Sequence, residues 1–134
     1  MAAGDILKEE GLVVETFTVA ADEDIEKGEI VRETGSGIAA AAATEKGPFF
    51  MALADHVYAD ETDHDIECVV KGYVEAQKVA DAGAAEKGQW LEISATAGEV
   101  QVFDYTTPGD WFEVVGEAME ASLAADTTQK LRLG

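Results

Sequence analysis

The chain has 134 residues, of which 47% are hydrophobic, enough for one domain with a core that needs neither a disulfide nor a metal. Nine basic and 28 acidic side chains give a formal net charge of -19, which disfavours binding to a nucleic-acid backbone because that requires clustered Lys and Arg. The single cysteine, Cys68, excludes an intrachain disulfide, and we expect it to be buried and unreactive.

The acidic excess also predicts adaptation to high salt. Repulsion among carboxylates destabilises a compact chain in dilute buffer, whereas at molar salt the Debye length falls to about 3 Å and removes most of that repulsion. The carboxylates are spread among apolar runs along the chain. We therefore expect a solvated, salt-adapted surface and a halophilic origin.

The longest apolar stretches, residues 38–43 and 49–54, are too short to span a bilayer, and residues 1–10 contain no apolar run of signal-peptide length. We therefore expect a soluble protein made in the cytoplasm, without a membrane partner.

The sequence predicts a flexible N-terminal arm, residues 1–11, and one β-rich domain, residues 12–134. In the arm, Ile6 and Leu7 lie between polar residues and Gly11 serves as a hinge. From residue 12 onward, alternation of apolar and polar side chains predicts strands. These are expected at residues 12–20, 29–33, 38–43, 49–54, 66–79, 90–94, 99–105, 111–118 and 129–133.

Turn-forming Gly, Pro and Asp separate the predicted strands, and short strands at this spacing are typical of a barrel or sandwich. The fold is therefore predicted to be mainly β, a small β-barrel or β-sandwich with at most one or two short helical turns. Those turns are expected at residues 80–86 and 118–125. The alanine run at residues 39–43 is predicted to be a small-residue strand that approaches another backbone or subunit closely.

An internal repeat relates residues 26–31 (EKGEIV) to residues 86–91 (EKGQWL), and each copy follows an Ala-Asp pair. In both, a Gly that tolerates positive φ follows two charged residues and leads into an apolar strand. The repeat predicts two equivalent turns whose charges face solvent.

The acidic run at residues 60–67 (DETDHDIE) is the nearest approach to a metal motif. An EF-hand loop starting at Asp63 would require Gly and Glu where Cys68 and Val74 stand. Asp60, Asp63 and Asp65 are therefore only weak cation candidates in an exposed, mobile loop.

The neighbouring His56 and His64 lack a Ser or Cys nucleophile in a Gly-framed turn. They are expected to be solvated loop side chains. No catalytic residue, no cofactor and no enzymatic activity is predicted.

The C-terminal residues form the most informative pattern in the chain. Residues 111–118 (WFEVVGEA) read as a strand interrupted at Gly116, residues 119–126 as a small-residue turn ending at Asp126, and the rest as a closing strand. This resembles the end of small capsid decoration proteins of tailed viruses. Looser similarities to that family occur in the same order at residues 25–38, 67–74 and 85–102.

The resemblance implies a structural virion protein on the outer face of an icosahedral capsid, where it binds the major capsid protein and bridges its subunits. It also implies a homotrimer. The residues assigned to capsid contact are Ile6 and Leu7. Those assigned to the subunit interface, where small residues allow close approach and aromatic side chains act as anchors, are Ile38, Ala40, Trp90, Trp111 and Phe112. The alternative is a cellular β-barrel module, monomeric with a defined pocket, that binds a metal ion or a soluble ligand.

Overall fold

A computed structural model describes residues 2–81, 83–103 and 113–134. The described residues form nine strands and one 3₁₀ turn, Tyr58–Asp60. The strands are β1 (Asp5–Thr18), β2 (Ile30–Glu33), β3 (Ile38–Ala40), β4 (Phe49–Ala52), β5 (Asp65–Gln77), β6 (Trp90–Ile93), β7 (Val100–Val102), β8 (Val114–Ala118) and β9 (Thr128–Leu133). Each overlaps a predicted strand, and the prediction of a mainly β fold is confirmed.

The strands form an antiparallel sheet that curls into a half-barrel, in the order β3-β2-β4-β5-β9-β8-β6-β7. Strand β5 pairs with three other strands, β1, β4 and β9. Along one edge it pairs first with β4, at Cys68 and Val69, and then with β9, from Gly72 to Gln77. Strand β1 runs along the other edge of β5.

The predicted repeat is the architectural unit of this sheet. Strand β2 pairs with β3 and β4, and strand β6 pairs in the same way with β7 and β8. At equivalent places, the Gly28 N–H donates to the Ala52 carbonyl and the Gly88 N–H to the Ala118 carbonyl, both at 2.8 Å. The φ angles of the two glycines, +90° and +92°, are also nearly equal.

Apolar side chains fill two clusters inside the curled sheet. The larger is built from both halves and includes Ile30, Met51, Leu91 and Leu131. The smaller lies around β2, β3, β4 and the start of β5, and Phe17 of β1 stacks on Phe50 beside it with ring centroids 4.6 Å apart. Cys68 is fully buried in the smaller cluster, as expected, and burial raises the pKa of its thiol to about 12.

The first strand begins at Asp5, seven residues before the predicted start at residue 12. Residues 5–8 carry few strand-forming side chains, and their strand conformation depends on pairing with β5, where Ile6 faces Val74 and Lys8 faces Tyr73. The register then shifts, because β1 advances from Lys8 to Val13 while β5 advances only from Tyr73 to Lys71. That the arm at residues 1–11 is flexible stays a prediction.

The predicted helical turns were wrong in position. No helix is assigned to residues 118–125 or to the described residues of 80–86. Instead Ala85 forms an isolated bridge with Ser122, whose N–H donates to the Ala85 carbonyl at 2.9 Å. Pairing between the two segments outweighs the helix propensity of their alanines.

Candidate functional site

Strand β1 is the most exposed strand of the sheet. None of its 14 residues is buried, and ten are exposed. Three of the exposed residues are large aliphatic side chains, Ile6, Val13 and Val14, with 38%, 43% and 37% of their surface accessible. Within the described part of the chain β1 pairs with β5 alone, so its outer edge and its aliphatic side chains are available to a partner.

A row of large polar and aromatic side chains crosses the outer face of the sheet from β1 to β6. In register order it contains Lys8, Tyr73, Arg132, Glu117 and Trp90, and we call it the cross-strand row. Its members contact one another: the Lys8 ammonium lies 4.7 Å from the centroid of the Tyr73 ring, and Arg132 pairs with Glu117 at 3.2 Å. Trp90 ends the row and is 39% exposed.

A groove of about 540 Å³ opens where the register of β1 shifts against β5. It is lined by Glu10, Gly11, Lys71, Gly72, Tyr73, Arg132, Leu133 and Gly134. The groove contains two of the nine basic residues, Lys71 and Arg132, together with the acidic Glu10, and Arg132 is paired with Glu117 of the adjacent row.

The loop between β4 and β5 brings both histidines of the chain into contact. His56 Nε2 lies 3.0 Å from His64 Nδ1, and His56 Nδ1 lies 3.0 Å from a carboxylate oxygen of Glu61. Tyr58 stacks on the His64 ring with centroids 3.8 Å apart. His56 is 1% exposed, so the expectation that it is solvated was wrong; backbone pairing with Ile25 draws it inward.

The weak cation candidates Asp60, Asp63 and Asp65 are exposed, as predicted for their loop. Two of them accept hydrogen bonds: Asp65, the first residue of β5, accepts from the Thr18 hydroxyl of β1 at 2.6 Å, and Asp63 accepts from the Asp65 N–H at 3.0 Å. Among residues 2–81, 83–103 and 113–134, no group of three or more His, Cys, Asp or Glu is placed to hold a metal ion.

A second acidic group lies near the turn before β2. Burial raises the pKa of Glu29, as do the neighbouring charges of Glu26, Glu99 and Asp55, while a hydrogen bond from the Glu26 N–H lowers it; the net shift is upward. The pKa of Glu99 is also raised, by burial and by Glu26. These carboxylates, which come from both halves of the sheet, repel one another around the turn before β2.

The other residues assigned to contacts lie in different environments. Leu7 is partly buried on β1. Ile38 is fully buried, and Ala40 is partly buried on β3, the end strand of the sheet. Trp111 and Phe112 fall outside the described residues.

Sequence reasoning missed the histidine contact and the cross-strand row. Eight positions separate the two histidines, and the row joins five strands. Neither contact leaves a local pattern in the sequence.

No protein-family model matches the chain, and no curated protein matches it. None of the helical structure in the described residues is both long and apolar enough to cross a membrane.

Proposed function

We propose that this protein is a structural virion protein that decorates the outer surface of an icosahedral capsid, bridges capsid subunits and acts as a homotrimer. The proposal rests on the sequence resemblance together with one structural observation, the exposed strand β1. Such a protein works by mass action: binding only to the assembled shell shifts the equilibrium away from disassembly.

Strand β1 supports the proposal because it offers both kinds of contact that a docking strand needs. Its outer edge can accept backbone hydrogen bonds from a partner strand. Its exposed Ile6, Val13 and Val14 can bury apolar surface at the same time. Ile6 thereby remains the candidate capsid contact, with the partly buried Leu7 beside it.

The cross-strand row supports a second contact surface. Trp90 is a large, exposed aromatic side chain next to the Arg132–Glu117 ion pair, and Trp and Arg are enriched among residues that dominate binding energy. We assign this end of the row to the subunit interface. Ala40 on β3, the end strand of the sheet, is the other candidate; on the same strand Ile38 already forms an isolated bridge with Val19.

The oligomeric state tests the proposal. Light scattering coupled to size exclusion in molar KCl should give about three times the monomer mass of 14.2 kDa, and Trp90→Ala should shift the population toward monomer. A monomer in solution together with no regular density on particles viewed by cryo-microscopy would contradict the proposal.

Capsid binding is tested by Ile6→Asp, which places a charge on the exposed aliphatic surface of β1. Co-sedimentation with expanded capsids of the source virus should fall by at least about 10-fold, the usual loss at a central contact residue. Val57→Asp is the matched control, because Val57 is 45% exposed and lies off β1 in the loop before β5. Equal binding by the two variants would count against β1 as the contact.

The groove beside β1 favours the alternative function, a binding module for a soluble ligand. Its volume of about 540 Å³ is large enough for a small molecule, and its lining of Lys71, Arg132 and Glu10 suits a polar ligand. The alternative predicts a monomer in solution and no regular density on particles, so light scattering together with cryo-microscopy separates the two functions.

A further inference from the structure

The contact between His56 and His64 is held in place from several directions. His56 exchanges both backbone hydrogen bonds with Ile25, each at 2.8 Å, and the His64 carbonyl accepts from the Val19 N–H at 2.7 Å. The stacked Tyr58 ring fixes the plane of the His64 ring. The two imidazoles are therefore positioned by the fold and not by their own contact alone.

The partners of each ring nitrogen determine where its proton lies. An ionised carboxylate only accepts hydrogen bonds, so His56 Nδ1 carries the proton that faces Glu61. In neutral His56, Nε2 then presents a lone pair that can accept a hydrogen bond from His64 Nδ1. A histidine whose second nitrogen is held by a carboxylate has the arrangement of a metal ligand oriented by its outer shell.

We propose that His56 and His64 form a binding site for a divalent metal ion of the zinc class, with His56 Nε2 and His64 Nδ1 as ligands and Glu61 as the residue that positions His56. The metal takes the place of the proton between the rings, and neutral His64 keeps that proton by changing to the tautomer with Nε2–H, so both ligands remain neutral imidazoles. Zn–N bonds of about 2.0–2.1 Å at a tetrahedral centre place two ligand nitrogens about 3.3 Å apart. The observed distance between these nitrogens is 3.0 Å. An increase of about 0.3 Å, with a tilt of both rings that turns their lone pairs toward a common point off the N–N line, accommodates the ion.

Water supplies the remaining ligands. The described residues contain no third His, Cys, Asp or Glu placed to complete the shell, and Cys68 is fully buried with a pKa near 12. The His64 side of the pair is only partly buried and admits solvent. A site with two protein ligands predicts weaker binding than a four-ligand structural zinc site, and folding that does not depend on the metal.

The test is calorimetric titration of Zn²⁺ near neutral pH in molar KCl, which screens unspecific attraction to the acidic surface. We expect one ion per chain, bound by two neutral imidazoles without net release of a proton. His64→Ala should weaken binding by at least about 10-fold, and Glu61→Gln by about 10-fold, the usual loss when an outer-shell partner is changed. The matched control is Asp60→Asn, which removes an exposed charge from the same loop and should leave the affinity unchanged.

Nuclear magnetic resonance of the imidazole nitrogens in the unmodified protein tests whether they bind Zn²⁺, even if His64→Ala does not fold. Zn²⁺ should shift the signals of His56 Nε2 and His64 Nδ1 while His56 Nδ1 keeps its proton. Unshifted signals would show that the histidines only share a hydrogen bond and would overturn the proposal. So would unchanged affinity in His64→Ala, or loss of binding in Asp60→Asn alone.

Discussion

Glu29 and Gln89 occupy the same place in the two halves of the sheet. Each accepts a hydrogen bond from the backbone N–H three residues earlier, from Glu26 and Glu86 respectively, and both bonds are 2.7 Å long. The turn therefore requires a hydrogen-bond acceptor at this position but not a negative charge. Only Glu29 adds a carboxylate, next to Glu26 and Glu99.

This comparison predicts that Glu29→Gln stabilises the protein at neutral pH. Because the folded-state pKa of Glu29 is raised above its ordinary value of 4.5, its contribution to stability is full below that value and is lost as the pH rises through the folded-state pKa. Glutamine keeps the hydrogen bond and removes the repulsion. The gain in free energy of unfolding should be on the order of 0.5 kcal/mol, a small value because the side chain is partly in water.

Denaturant unfolding at neutral pH and at about pH 3, where carboxyl groups are largely protonated, measures this gain. The difference between Glu29→Gln and wild type should vanish at the lower pH. Glu10→Gln removes the same charge from an exposed position on β1 and controls for net charge. An equal gain from both substitutions would show that only total charge matters.

At the scale of elements, the repeat provides an internal control for how firmly the N-terminal segment is held. Gly28 and Gly88 have nearly the same φ, so alanine at either position incurs the same backbone strain, about 1 kcal/mol. A Cβ on Gly28 would also lie 2.6 Å from the Ala3 Cβ and 2.8 Å from the Gly4 nitrogen, whereas one on Gly88 would meet nothing within 4 Å.

Gly28→Ala should therefore destabilise the full-length protein more than Gly88→Ala, by an additional 1 kcal/mol or so, a typical value for overpacking. Deleting residues 1–10 removes Ala3 and Gly4, and the two substitutions should then have equal effects. Free energies of unfolding for the four combinations measure the coupling. No extra loss in the full-length Gly28→Ala protein would show that residues 1–10 are loosely held, as the sequence predicts.

At the scale of the whole molecule, the net charge of -19 determines how stability depends on salt. The three Lys or Arg ion pairs among the described residues, Arg32–Glu45, Lys130–Glu120 and Arg132–Glu117, leave most of the 28 acidic side chains without a basic partner. Between about 0.1 M and 1 M salt, the Debye length falls from about 10 Å to about 3 Å. Stability should therefore rise steeply with the concentration of monovalent salt.

Thermal melts across that range of KCl should show a melting temperature that increases by on the order of 10 °C. A variant with Glu9, Glu10 and Glu15 changed to Gln loses three exposed charges from β1 and should need less salt for the same melting temperature. A flat or falling melting temperature in the wild type would contradict halophilic adaptation.

Local patterns in the sequence were enough to predict the strands and the repeat. Alternation at residues 129–133 and glycines such as Gly28 act through the conformation of a few neighbouring residues, so they can be read without knowledge of the fold. The positions of the helical turns were wrong because the bridge between Ala85 and Ser122 depends on pairing between distant segments.

The sequence by itself determined the β class, the two equivalent turns and the acidic surface, because side-chain alternation, glycine conformation and charge are local or additive properties. Only the tertiary structure decided that His56 meets His64 and Glu61, that β1 extends to Asp5, and that Lys8 and Trp90 end one row. These contacts depend on strand register, which is selected by burial summed over the whole sheet. The physical basis of both proposals therefore lies in register and loop closure, which single segments do not encode.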